Sequence, residues 1–224
     1  MNKLHIDRIT KSFGSKKILQ DVCLSCETGN ITALLGRIGS GKSTLLQIIF
    51  GTMKGDSQFI KYNEQVLTKQ SDRRNKIAYL PQSPMFPKHI KIKELIPLFC
   101  NPENTRKLFS DDLLRPFLNR TVRNLSGGER KLAEVMTVIH SEAEFILLDQ
   151  PYSGLSPIFT EKVMKMIKER SKEKGFIISD FDVQNLIEIS DDIYVLHDGS
   201  LKRIKDLNEL QRHYYLPESS IQVK

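Results

Sequence analysis

The period of apolar positions changes along the chain, and the change marks out the elements. LHIDRITKSFG, starting at Leu4, and ILQDVCLSCETGN, starting at Ile18, alternate apolar with polar residues between turn residues. They predict short strands of an antiparallel layer with one wet face. NITALLG (Asn30–Gly36) is instead a continuous apolar run that passes into a glycine-rich turn and then into STLLQIIFG, which has helical spacing. KIAYLP, EFILLD and GFIIS repeat the continuous apolar pattern further on, with helical stretches between them. Such runs suit strands covered on both faces, so the body of the chain is expected to be an α/β core around a parallel sheet.

Between Ser83 and Arg123 the strands stop, and IKIKELIPLF (Ile90–Phe99) and SDDLLRPFL (Ser110–Leu118) both read as helices. This predicts a helical lobe over 83–135, inserted between core segments 1–82 and 136–224. DDIYVLHDGSLKRI (Asp191–Ile204) reads as a strand, an Asp-Gly turn and a returning strand, and Asp206–Tyr215 as a helix.

The densest chemistry lies at Gly36-Arg37-Ile38-Gly39-Ser40-Gly41-Lys42-Ser43-Thr44. This is G-x-x-x-x-G-K-[ST] with a strand before it and a helix after it, the setting of a phosphate loop. Its glycines let backbone N–H groups curl around phosphate oxygens, and the helix N-terminus adds a favourable dipole. Lys42 is expected on the β- and γ-phosphates, and the Ser43 hydroxyl on Mg²⁺. A second motif, Asn124-Leu-Ser-Gly-Gly-Glu-Arg130, opens the helical run GERKLAEVMTVIH, and Ser126 is placed to cap it.

The two motifs in this order resemble the Walker A and signature sequences of the ABC ATPase family. That resemblance implies a P-loop (RecA-like) core with an N-terminal antiparallel β layer and an inserted helical subdomain. It further implies ATP and Mg²⁺ as ligands and a second ABC ATPase subunit, identical or different, as partner. In the family's head-to-tail pairs, Ser126, Gly127 and Gly128 of one chain complete the ATP site of the other. Other roles follow residue by residue. Asp149, ending FILLD, matches the Walker B acid on Mg²⁺. Gln82 in YLPQ matches the glutamine loop that joins metal and attacking water to the membrane partner. Phe13 stands where an aromatic stacks on adenine, and Tyr152–Pro157 matches the loop that meets the facing subunit.

This sequence departs from the family pattern at the water-activating positions. Gln150 follows Asp149 where the family has Glu, and a neutral amide orients water but cannot take its proton. After GFIIS the family's γ-phosphate-sensing His is absent; Phe181 or, one position earlier, Asp180 stands there. Ile38 replaces a common Asn. The resemblance therefore implies an ATP-binding subunit whose own site hydrolyses weakly and which energises a separate transmembrane permease. The alternatives are a soluble ABC ATPase outside transport and a non-hydrolysing regulator that dimerises on ATP.

Composition narrows this little. With 39% hydrophobic and 27% charged residues the chain has ordinary globular make-up, and no apolar run approaches the ~20 residues that span a bilayer. MNKLHIDRI lacks an apolar leader segment, which leads to the expectation of a cytoplasmic protein held at the inner membrane face by partner subunits. Net charge is +7, but the basic residues are scattered in sequence, and no nucleic-acid partner is expected. Cys23 and Cys26 form a C-x-x-C on a predicted strand without a second ligand pair, which favours ordinary strand residues over a metal site.

Overall fold

The computed structural model describes residues 1–206 together with 209 and 210, so the helix expected over Asp206–Tyr215 lies largely outside the described residues. The chain opens with β1 (Lys3–Phe13) and β2 (Lys16–Glu27), paired antiparallel through the turn at Gly14. β3 (Ile31–Leu35) runs into α1 (Lys42–Phe50); β4 (Ser57–Tyr62) and β5 (Gln65–Val66) follow, and then α2 (Gln70–Arg73). β4 joins the edge of β1 and β5 joins β4, giving a four-stranded antiparallel sheet in the order β2-β1-β4-β5. The antiparallel layer is thus twice as wide as the two expected strands. β4 and β5 are short, and their turn carries Asn63 at φ 49.

β6 (Ile77–Leu80) leads into a stretch whose regular elements are helices, α3 (Ile92–Leu95), α4 (Pro102–Ser110) and α5 (Gly127–Ile139), with one antiparallel bridge between Lys91 and Thr121. The remainder is β7 (Phe145–Asp149), α6 (Pro157–Ser171), β8 (Gly175–Ser179), α7 (Val183–Ile189), β9 (Asp192–His197) and β10 (Ser200–Ile204). The second sheet has the order β10-β9-β3-β8-β7-β6, parallel throughout except for the β9–β10 hairpin. β3, β7 and β8 are buried at every position, the reason they read as unbroken apolar runs.

Alternation along those strands divides the core in two. Leu34, Leu147 and Ile177 pack with α1 and the inner residues of β1 and β2. Ala33, Leu35, Ile146, Leu148 and Ile178 pack with α5 and α6. The carboxyl ends of β3, β7 and β8 therefore emerge side by side between two helical layers.

Two helix expectations are corrected. Ile90–Phe99 is helical only from Ile92, and Pro97 tightens its end into a 3₁₀ turn over Ile96–Leu98. Ser110–Leu118 is not a helix: Asp111 ends α4 in an extended conformation and accepts from Leu113 N, and Pro116 leaves only a 3₁₀ turn at Arg115–Phe117. The full helix of this region is α4, whose start is signalled by Asn101-Pro102. Asn101 caps Asn104 N at 2.8 Å, and proline takes the first position, where no N–H is needed.

Candidate functional site

β3 ends where its burial ends, and the chain turns back at Gly36 in the left-handed region, φ 151. Only glycine fits: a Cβ there would lie 2.5 Å from the Leu196 carbonyl oxygen and 2.7 Å from Ser40 Oγ. Gly41, φ 108, packs so closely on β2 that a Cβ would sit 2.8 Å from Ile18. The loop is thereby curled tightly onto the amino end of α1. Lys42 folds inward, its ammonium donating to the carbonyl oxygens of Gly36 (2.6 Å) and Arg37 (3.0 Å). Burial lowers its pKa and the charge of Asp149 works against that shift. The Ser40 hydroxyl is buried in the same loop without a partner. A cradle of N–H groups, an inward ammonium and an unsatisfied hydroxyl suits a phosphate oxygen.

Asp149, at the end of β7, is buried and accepts from Tyr79 OH (3.3 Å) and Ser179 Oγ (3.2 Å). With the Ser43 hydroxyl it offers hard oxygen donors, the set that fits Mg²⁺. Gln150 follows in a left-handed conformation, φ 54, and is buried; its N–H donates to Ser179 O at 2.6 Å.

Beyond β8 the two residues left open by the sequence separate. The ring of Phe181, 49% exposed, lies 5.9 Å from Lys42 Nζ. Asp180 is buried beneath the loop after β7, accepting from the N–H groups of Tyr152 (2.9 Å), Phe181 (2.7 Å) and Asp182 (3.2 Å). Burial raises its pKa against those hydrogen bonds. Arg37, Ile38, Asp180, Phe181 and Leu210 share a 220 Å³ cavity.

Phe13 is 51% exposed, with Lys11 Nζ 5.3 Å from its ring, so it is no core residue. It pairs across the ladder with Lys16, which with Lys17, Gly39, Ser40 and His197 lines a 410 Å³ cavity beside the phosphate loop. Lys16 and Lys17 carry no motif; the one sequence signal for them is their place beside the turn after Phe13.

The second motif gathers elsewhere. Ser126 and Glu129 form a reciprocal capping box at the head of α5 (2.7 and 3.2 Å), and Arg120 pairs with Glu129 at 3.1 Å. Gly128 faces the loop after β7, where a Cβ would lie 2.8 Å from Gly154 O, whereas Gly127 has nothing within 4 Å. Gln82 is exposed, and its cavity of 260 Å³ is shared with Gly127, Gly128, Ser153 and Gly154. The stretch around Gln82 is strapped to α5 at both ends. Lys131 Nζ donates to Pro81 O (3.3 Å), and the Glu134 carboxylate accepts from Met85 N (3.0 Å) and Phe86 N (3.1 Å). Both side chains are buried; burial lowers the Lys131 pKa and raises that of Glu134. These straps were also missed, although two charges on the apolar face of a helix are a legible signal.

Cys23 and Cys26 lie on β2. Cys23 is exposed and donates to Asp7 (2.8 Å), while Cys26 is buried with its thiol pushed up to about 12 by desolvation.

A family model described as ABC transporter matches residues 19–153, more than half of the chain. The chain belongs to the ABC transporter ATP-binding family. Among relatives of this ABC protein, the xylose/arabinose import ATP-binding protein of Sulfolobus acidocaldarius is 31% identical, over 88% of this chain and 86% of that one. The lipopolysaccharide export system ATP-binding protein of Acidithiobacillus ferridurans is 28% identical, over 88% of each. Of solved structures, an ABC transporter ATP-binding subunit superposes with a TM-score of 0.83 at 23% identity, covering 93% of this chain and 92% of that one. A bacterial ABC transporter cassette solved as a dimer gives 0.79 at 22%, covering 91% and 100%. The fold is thus the ABC cassette fold. No helix among the described residues is long and apolar enough to cross a membrane.

Proposed function

We propose that this ABC subunit binds Mg-ATP on the loop Gly36–Thr44 and uses it as a clamp between two ATPase subunits, with little hydrolysis at its own site. Lys42 and the N–H groups of the loop hold the phosphates, Ser43 and Asp149 the Mg²⁺, and Phe13 the base. Magnesium supplies charge neutralisation at the phosphates. Gly127, unobstructed within its own chain, with Ser126 completes the ATP site of a partner subunit, identical or different. The core segments 1–82 and 136–224 act as the motor, and the lobe 83–135 joins it to a separate permease at the inner membrane face. A groove of 830 Å³ between lobe and core, rimmed by Met85, Leu98 and Phe99, suits an apolar permease segment. The relatives named import sugars in one case and export lipopolysaccharide in the other, so cargo and direction are assigned to the permease.

The observation that carries the weak-hydrolysis reading is Phe181 against Lys42, with Gln150 next to Asp149. Neither side chain can accept a proton from water at that place. A general base contributes roughly 100- to 10,000-fold, so turnover should sit near background while binding persists. Calorimetry should find Mg-ATP binding that Lys42→Ala abolishes. Gln150→Glu, an isosteric change that leaves the left-handed backbone as it is, should raise turnover, and adding Phe181→His should raise it again. Asp180→His should not, because Asp180 holds three backbone N–H groups. Brisk hydrolysis by the unaltered chain would refute the reading.

A further inference from the structure

The cations that look scattered in sequence meet at one edge of the helical lobe. Residues 88–93 and 118–123 run antiparallel, tied by Arg123 N to Lys88 O (2.9 Å), Val122 N to Ile90 O (3.1 Å), Ile92 N to Arg120 O (3.2 Å) and Lys93 N to Leu118 O (3.0 Å). A bridge pairs Lys91 with Thr121. Along this ribbon burial alternates: Ile92 and Val122 are buried, while His89, Lys91, Lys93 and Arg123 are exposed. The backbone is extended at Lys91 and Thr121 alone, since α3 begins at Ile92 and a 3₁₀ turn at Val122, so the cations are gathered at one edge of the lobe rather than along one strand face. Lys88 is exposed at its end. Of the acids beside the ribbon, Glu129 is taken by Arg120 and the Ser126 N–H, and Glu94, exposed next to Lys93, is outnumbered by the cations around it. Among the described residues Lys88, Lys91, Lys93 and Arg123 have no ion-pair partner. A few residues on, the same segment exposes Leu98 (74%) and Phe99 (37%).

We propose that this ribbon is a docking surface for an anionic phospholipid bilayer. The inference rests on the permease reading only for orientation, since the groove rimmed by Leu98 and Phe99 lies on the same segment. Four exposed cations without an ion pair, gathered at one edge of the lobe, match a diffuse negative surface. An acidic peptide fits less well, because exposed one-to-one ion pairs contribute little. A surface cation near anionic lipid is worth about fivefold in binding, so reversing three should cost at least ~100-fold.

The test is flotation of the full chain with vesicles of 30% phosphatidylglycerol in phosphatidylcholine, against phosphatidylcholine alone. The unaltered chain should float with the anionic vesicles only and come off in high salt. Lys91→Glu/Lys93→Glu/Arg123→Glu should not float, while Lys165→Glu/Lys168→Glu/Lys172→Glu on α6 and its C-cap, with the same change in net charge, should float as before. Mg-ATP calorimetry on each variant shows separately whether the ABC site is intact. Equal loss in both triple variants would reduce the effect to net charge and overturn the proposal. So would flotation by the ribbon variant, including the case where it instead loses a co-purifying permease, which would mark an acidic protein partner.

Discussion

Glu134 is the side chain on which the geometry around Gln82 depends most directly. Its carboxylate is buried and accepts from two backbone N–H groups, Met85 and Phe86, at the end of the stretch whose beginning is held by Lys131. Glu134→Ala removes both acceptors at once. A buried N–H left without a partner costs ~1–3 kcal/mol, and Lys131 also loses a compensating charge. The expected loss is therefore ~3–5 kcal/mol, the range for breaking a buried charged network. Glu134→Gln keeps an amide oxygen and should lose about half of that. Because the straps hold one loop from both ends, Lys131→Met and Glu134→Ala should not add, with a coupling of roughly 1–2 kcal/mol in the double variant. Urea unfolding followed by circular dichroism suits a chain without tryptophan. Hydrogen exchange at the Met85 and Phe86 amides reports the loop itself and should accelerate in Glu134→Ala before global stability is lost. Stability within about 0.5 kcal/mol of wild type, together with unchanged exchange at those amides, would refute the strap.

The two signature glycines should separate folding from partnership. Gly128→Ala places a Cβ 2.8 Å from Gly154 O and should destabilise the monomer by ~1–3 kcal/mol in thermal unfolding. Gly127→Arg projects into open space, so monomer stability and ATP binding should hold, while ATP-driven dimerisation in size-exclusion chromatography should disappear. His140, buried at the end of α5 with its ring nitrogen 2.9 Å from Met136 O, should make the fold acid-sensitive. Burial, aided by the charges of Arg170 and Lys174, lowers its pKa from 6.5 to about 4. The unfolded chain then binds the proton more readily, so stability is full above pH 6.5 and falls by up to about 3 kcal/mol as pH drops to 4. His140→Phe should flatten that part of the stability profile, and an unchanged slope would refute the assignment.

What was legible in the sequence was what local chemistry determines. The loop Gly36–Thr44 is nine consecutive residues, of which Gly36 and Gly41 are demanded within a few ångströms by Leu196, Ser40 and Ile18. Its pattern therefore survives in one dimension. The buried strands β3, β7 and β8 are legible because both faces are covered, and α5 because its cap, Ser126 with Glu129, is written three residues apart. α4 was hidden because its polar surface weakens the apolar period, and Ser110–Leu118 misled because Leu113, Leu114, Phe117 and Leu118 imitate a helical stripe that Asp111 and Pro116 interrupt. Long-range contacts were beyond reach. The straps from α5 to Pro81 and Phe86 span about fifty positions, and the basic ribbon joins two segments some thirty residues apart.

The same division bears on Gln150 and Phe181. Each stands just past the carboxyl end of a central parallel strand, where open α/β sheets place their ligands. Gln150 holds its left-handed turn through its own N–H to Ser179 O, a bond that any side chain at that position would leave in place. Phe181 is half exposed over Lys42, so its ring contributes little to the core. Asp180, which does hold the loop together, is buried one residue earlier. Neither departure is therefore required by the fold. On the weak-hydrolysis proposal their effect would fall on the water that attacks the phosphate, and the loop Gly36–Thr44 would still bind ATP.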